Sequence, residues 1–295
     1  GRNVILDVGY VGNLGRHLLR TININQLPVG ARLNPPASAI NVNALRPYPG
    51  MGIVGISENS GLSMYNGLQT SVERRFSSGL GFGVAYTYSK ATDNTSDLTD
   101  LLPDSYNDRN YKGISDLNRP HVLIINYIYE IPFLRNNKSL LGRAFGNWEL
   151  SGMNQWQSGS PFSVRNTVDN AGVGAGSGAQ FYNQIGDPNA VTKTAFTDSA
   201  VWFNKDAFAR PANGTWGVQP RNGIQNPGFW AFDLGIRKNF ITAEKQRLQV
   251  RGEFFDILNH PNWGSANANP TSGQFGLVTS KSGNRTIQIA LKYIF

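Results

Sequence analysis

Apolar and polar residues alternate with a period of two near the end of the chain. Over residues 284–295, Arg285, Ile287, Ile289, Leu291, Tyr293 and Phe295 share one face of an extended strand, and Thr286, Gln288, Ala290 and Lys292 share the other. The pattern recurs in segments of about ten residues bounded by turn residues. Leu248, Val250, Gly252 and Phe254 oppose Arg247, Gln249, Arg251 and Glu253, while Trp230, Phe232, Leu234 and Ile236 oppose Ala231, Asp233, Gly235 and Arg237. Trp148, Leu150 and Trp156 alternate with Glu149, Ser151, Gln155 and Gln157, and Leu80, Phe82, Val84, Tyr86 and Tyr88 with Gly81, Gly83, Ala85, Thr87 and Ser89. Leu68, Thr70 and Val72 oppose Gln69, Ser71 and Glu73, and Val4, Leu6, Val8 and Tyr10 oppose Asn3, Asp7 and Gly9. Residues 122–131 are apolar on both sides until Asn126 and Glu130, which fits a strand with a partly covered interior.

These segments predict roughly eight strands, and their connections sort by length. Residues 77–79 and 241–244 predict tight turns, and 133–146 a somewhat longer link. Residues 12–64, 91–118, 159–228 and 259–283 predict long loops. In a meander these two groups fall on opposite rims, the asymmetry of a barrel that spans an outer membrane. Alternation alone is shared with a soluble β-sandwich, whose strands also turn one face to a core. Loop sorting, aromatics near strand ends (Tyr10, Phe76, Tyr88, Tyr129, Trp148, Trp156, Phe240 and Tyr293) and the final Phe295 favour the membrane barrel. The fold expected is all-β, an antiparallel transmembrane β-barrel, and the whole of residues 1–295 belongs to it.

Composition agrees with many strands joined by Gly-rich and Asn-rich loops. Hydrophobic residues make up 40%, charged residues only 16%, and glycine 33 of the 295 positions. Mean hydropathy is -0.32, and the sequence holds no apolar run of about 18 residues, which argues against a helical span but not against strands, whose alternation hides in averaged hydropathy. The chain has no cysteine, which removes disulfides and thiol chemistry. A net charge of +8 fits nucleic acid, an anionic lipid surface or a basic lumen. Basic residues such as Arg74, Arg75, Arg135, Lys138, Arg143, Lys238 and Lys245 sit beside strand ends rather than along one helix face, so outer-membrane lipid and lipopolysaccharide are expected partners and nucleic acid is not. The sequence opens at Gly1 without a Met start or signal-peptide pattern, so a mature piece or a fragment of something longer is expected.

Candidate chemistry is sparse. His17, His121 and His260 lack metal-site spacing. Residues 93–108 gather carboxylates, of which Asp93, Asp97 and Asp100 form a calcium candidate weighed against a solvated acidic loop. The stretch 172–178 resembles a phosphate loop in composition only, because no Gly-Lys-Ser/Thr follows. Glu253 and Asp256 fall on opposite faces, and catalysis is not expected. Trp202, Trp216 and Arg221 lie in the longest loop and could form a ligand platform, or pack that loop onto the barrel mouth. No cofactor is expected.

The stretch Tyr65-Asn66-Gly67-Leu68-Gln69, with Arg74-Arg75-Phe76, Ser77-Ser78-Gly79 and Tyr86-Thr87-Tyr88-Ser89-Lys90, resembles the C-terminal barrel of TonB-dependent receptors of the Oar-like, carboxypeptidase-regulatory-like domain-containing type. Asn118-Arg119-Pro120-His121, Tyr129-Glu130-Ile131-Pro132, Trp202-Phe203-Asn204, Gly228-Phe229-Trp230, Lys238-Asn239-Phe240 and Glu253-Phe254-Phe255-Asp256-Ile257-Leu258-Asn259-His260-Pro261 continue the likeness in order over almost the whole chain. The resemblance implies the last eight or so strands of a larger receptor barrel, with plug and N-terminal domains outside this chain. It also implies that Ile287, Ile289, Leu291, Tyr293 and Phe295 are an assembly signal read by the barrel-insertion machinery. TonB, acting through the rest of the receptor, and an unidentified extracellular ligand would be its partners, with the C-terminus periplasmic. The alternatives are a self-contained small outer-membrane barrel serving as an adhesin or structural protein, and a soluble β-sandwich that binds or hydrolyses carbohydrate. Eight strands closed on themselves would leave an interior just wide enough for side chains, and Asp7, Glu73, Arg75, Glu149, Asp233, Arg237, Arg247, Arg251 and Glu253 would crowd it.

Overall fold

The alternating segments pair in chain order into one antiparallel meander. The computed structural model describes residues 3–33, 41–99, 101–135, 137, 139–166, 168–174, 180–196, 198–243 and 246–295. Eight long strands follow one another across the sheet: β1 (Val4–Asn23), β2 (Gly55–Ser77), β3 (Leu80–Asp93), β4 (His121–Glu130), β5 (Trp148–Gln157), β6 (Phe229–Ala243), β7 (Gln246–Phe255) and β8 (Thr286–Ile294). The two-residue segment Gly113–Ile114 pairs beside the end of β3. Among the described residues β1 and β8 are the two edges of this sheet.

The register lines up the alternating faces from strand to strand. On one face Leu6 pairs with Val72, Val72 with Val84 and Val84 with Ile125. Leu123 pairs with Trp156 and Trp156 with Trp230, while Leu234 pairs with Phe254 and Phe254 with Ile287. The other face carries Glu73 beside Gly83, then Asn126, Met153 and Asp233, and nearer the short turns Glu130, Glu149, Arg237 and Arg251. A slip of one residue at any pair would exchange these faces, so the pattern fixes the register.

Burial separates a membrane wall from a sandwich. In a sandwich the apolar strand face is the core. Here Leu6, Val8, Tyr10, Leu68, Ile289 and Leu291 are exposed, Ile289 by 79%, whereas among the described residues the buried apolar side chains all lie in connections: Leu27, Leu102, Val164, Val173, Phe203 and Val278 are examples. An apolar ribbon crossing eight strands without a covering layer needs hydrocarbon around it. No helix among the described residues is long and apolar enough to cross a membrane.

The turns follow local chemistry. Ser78 and Gly79 connect β2 to β3 with φ of 52° and 82°, the two positive values of a type I′ hairpin, and Gly79 tolerates its value because it has no Cβ. The link between β4 and β5 contains a short helix, α1 (Leu140–Phe145), whose first turn is capped by Ser139 Oγ accepting from the Gly142 amide at 3.1 Å. The tight turn expected at 241–244 joins β6 to β7, although Glu244 and Lys245 lie outside the described residues, as do Lys138 and Asp100.

One expectation is corrected. Residues 12–64 are not all loop: β1 continues to Asn23 and β2 begins at Gly55, so these strands run to 20 and 23 residues. About ten suffice to cross a bilayer, and the hairpin therefore projects well beyond it. Gly12, Gly15, Arg16 and His17 break the apolar alternation there, and register shifts near Gly15 and Leu18 mark a bulge at His17, whose φ is 56°.

Candidate functional site

The polar face of the sheet forms a trough with a cavity of about 850 Å³ against it. Glu73, Arg75, Asn126, Ser151, Asp233 and Glu253 line it together with Gly81, Gly83 and Gly235, and at Gly235 a Cβ would lie 2.6 Å from Ser151 Oγ. Toward the short turns Arg237 of β6 pairs with Glu149 of β5 across the sheet, and Arg251 pairs with Glu253 along β7 at 3.2 Å. Arg251 Nη2 also donates to Gln249 Oε1 at 3.2 Å, and Gln249 Nε2 to Asn239 Oδ1 at 2.9 Å. Such a wall suits a water-filled lumen.

Lys238 interrupts the apolar row, between Trp148 and Val250 in register. Its ammonium lies 5.0 Å from the Trp148 ring centroid and 4.9 Å from that of Phe240, and donates to the Gly146 carbonyl at 2.6 Å. The stem covers apolar surface while the charge reaches the turn, as lysines do at a membrane rim.

The long connections pack together over the trough's other end. Val164, Phe203, Ala207, Phe208, Ile224, Ala266 and Val278 make one cluster, Leu27, Ala171 and Val173 a second, and Leu102, Tyr111 and Phe181 a third. The loops thus carry their own core, stitched by two-residue ladders such as Pro161–Phe162 with Ile224–Gln225. Arg20 ties β1 to this cap, reaching Glu58 and Asp108 at 2.9 Å each.

Arg221 is the hub of the cap. Its side chain is fully buried and pairs with Asp93, which is 5% exposed, while its Nη2 donates to Ser96 Oγ at 2.8 Å. The guanidinium lies 4.6 Å from the Tyr111 ring centroid, and Tyr111 stacks on Phe181. Burial alone would pull its pKa down, but the hydrogen bond and charge of Asp93, helped by Tyr111 and Asp116, outweigh this and raise it. The neighbouring Asn222 bridges two loops, donating to the Ile114 carbonyl and accepting from Ser163 Oγ at 3.3 Å. No pattern in the sequence links Arg221 to Asp93, 128 positions apart.

The suggested platform residues are not brought together. Trp202 packs on the first cluster, with its Nε1 donating to the Gln225 carbonyl at 2.7 Å and Lys193 lying 3.9 Å above its ring. Trp216 packs on the second cluster and Arg221 beside the third. Each of the three makes packing contacts within the cap. The calcium candidates also separate: Asp93 is held by Arg221, Asp97 caps its own turn through the Thr99 amide and hydroxyl at 2.7 Å, and Asp100 is outside the described residues. Those Thr99 bonds lower the Asp97 pKa. Among the described residues no three acidic, histidine or cysteine side chains gather as a metal site.

Of the glycine-rich stretch, Val173 and Gly174 direct their amides to Asp169 at 3.0 and 2.7 Å, while residues 175–178 lie outside the described set. His121 Nδ1 bonds Tyr86 Oη at 2.8 Å, and His260 Nε2 accepts from Trp230 Nε1 at 2.8 Å with the two rings 4.1 Å apart. His17 stands at the β1 bulge.

A family model described as an outer membrane beta barrel domain matches residues 1–288. No curated protein matches the sequence. Among solved structures, the outer membrane transporter YddB from Escherichia coli aligns with 100% of this chain and 31% of its own, at 11% identity and a TM-score of 0.44. The chain thus spans about a third of the length of that transporter.

Proposed function

This chain belongs to the outer membrane beta barrel domain family, and from that premise we propose that it is the C-terminal wall of a TonB-dependent receptor barrel of the Oar-like type. The observation that carries this reading is a wall of eight long strands whose two edges, among the described residues, have no partner strand, facing a charged trough. Unpaired backbone groups at β1 and β8 are costly in hydrocarbon, so each edge takes a partner strand from the rest of the receptor. Closing eight strands on themselves would force the Glu149–Arg237 and Arg251–Glu253 pairs, with Glu73 and Asp233, into a lumen barely wide enough for side chains.

On this reading the short turns and Phe295 face the periplasm, and the packed loops face outward and contact an extracellular ligand. The exposed row Ile287, Ile289, Leu291, Tyr293 and Phe295 engages the barrel-assembly machinery before it meets lipid. The plug and its TonB contact lie elsewhere in the receptor, and the barrel segment is non-catalytic. Residues of the motifs that carry the resemblance fill structural roles: Asn204 caps the turn Lys205–Ala207 by accepting from the Asp206 amide at 3.1 Å, Phe203 sits in the largest loop cluster, and His260 accepts from Trp230.

The test compares residues 1–295 exported alone with the complete protein. The complete protein should give a compact, heat-modifiable band in the outer-membrane fraction, and residues 1–295 alone should not. A heat-modifiable barrel formed by residues 1–295 alone would favour the self-contained small barrel instead.

A further inference from the structure

A cleft of about 430 Å³ lies where the outer end of β3 meets segments 109–114 and 217–221. Lys90, Arg109 and Lys112 line it, and no carboxylate does. The acids close in sequence are engaged elsewhere: Asp93 and Asp116 face Arg221, and Asp108 faces Arg20. Two other loop cations have carboxylate partners, Arg32 with Asp169 at 3.5 Å and Lys281 with Asp198 at 3.3 Å. Among the described residues Lys90, Arg109 and Lys112 form no ion pair. Three like charges around one concavity repel, and an anion seated among them converts that repulsion into charge-assisted hydrogen bonds.

We propose that Lys90, Arg109 and Lys112 form a binding site for a phosphate-bearing anion. The cleft is wide enough for a phosphorylated sugar or headgroup, and Thr92 adds a hydroxyl to its lining. Lys90 and Thr92 continue the row of Tyr86 and Tyr88, on the face turned to lipid and beyond its aromatic residues. That position suits the phosphates of an outer-leaflet glycolipid. This choice of source rests on the orientation proposed above, whereas the anion site itself does not.

Binding is measured on the complete outer-membrane protein with two probes. One is inorganic pyrophosphate. The other is nanodiscs containing lipopolysaccharide, with its phosphates intact or removed by phosphatase. The variant K90Q/R109Q/K112Q should bind about tenfold more weakly or worse, a loss of at least one charge-assisted contact. A control with Arg16, Lys193 and Lys205 changed to glutamine should bind as the natural protein does. Weakening in the phosphorylated nanodisc arm alone assigns a lipid headgroup, weakening in the pyrophosphate arm alone assigns a soluble phosphate, and either supports the site. Absence of binding by the natural protein in both arms overturns it, as does unchanged binding by a folded triple variant. Should the triple variant not reach the membrane, Lys90→Gln and Lys112→Gln are measured singly, and unchanged binding by both has the same force.

Discussion

Ile289 and Gln288 are adjacent in β8 and point to opposite faces, so they pose the environment question at single-residue resolution. Ile289 pairs with Gly252 in the apolar row and Gln288 with Glu253 on the trough side. Placing Arg at 289 should cost about 2–4 kcal/mol because the site faces hydrocarbon near mid-depth. The same change at Gln288, beside Glu253, should cost less than about 1 kcal/mol, since the lumen tolerates charge. Urea unfolding in lipid vesicles measures both, and equal costs would contradict the face assignment. Arg221 makes a different point, because its effect belongs to the cap rather than the wall. Arg221→Met leaves Asp93 buried without its cation and should destabilise the cap by about 3–5 kcal/mol, seen as rapid protease cleavage of the loops while the barrel band survives. Adding Asp93→Leu should recover much of the loss. The raised pKa of Arg221 means that its stabilising charge is complete below the unfolded value and lost only as pH rises through the still higher folded one. Protease resistance of the cap should therefore not decline between neutral and moderately alkaline pH through this group.

At the scale of elements, the membrane-crossing part of each strand was legible because two solvents act on it. Hydrocarbon on one side and water on the other force a period of two, and Leu80–Tyr88 or Ile287–Tyr293 display it. Beyond the bilayer that constraint ends, and so does the signal, which is why the upper part of β1, with Gly12, Gly15 and His17, looked like loop. The small ladders and clusters of the cap were illegible for another reason: they join residues from different connections, and no short window contains both partners. The β2–β3 turn was legible, since Ser-Gly between alternating runs is local chemistry. Gly79→Val should cost at least about 1–2 kcal/mol, because a branched residue resists a φ of 82°. Refolding yield into vesicles should fall, and an unchanged yield and midpoint would argue that the hairpin does not depend on its turn type.

For the whole molecule, the structure places two kinds of core in different media. Lipid surrounds the apolar strand row, while the loops bury their own residues above it, so wall and cap can fail separately. The sorting of short turns to one rim and packed loops to the other follows from the antiparallel meander. The absence of native cysteine makes that sorting directly measurable, because an introduced cysteine is unique within this chain. Gly273 has open space around its Cβ position and lies in the β7–β8 connection, and Ser78 is exposed in the β2–β3 turn. The most direct measurement labels Gly273→Cys and Ser78→Cys in the complete protein with a membrane-impermeant maleimide. Gly273→Cys should react on intact cells and Ser78→Cys only after the outer membrane is permeabilised; equal labelling of both on intact cells, or the reverse order, would contradict a wall that spans the outer membrane with its packed loops outside.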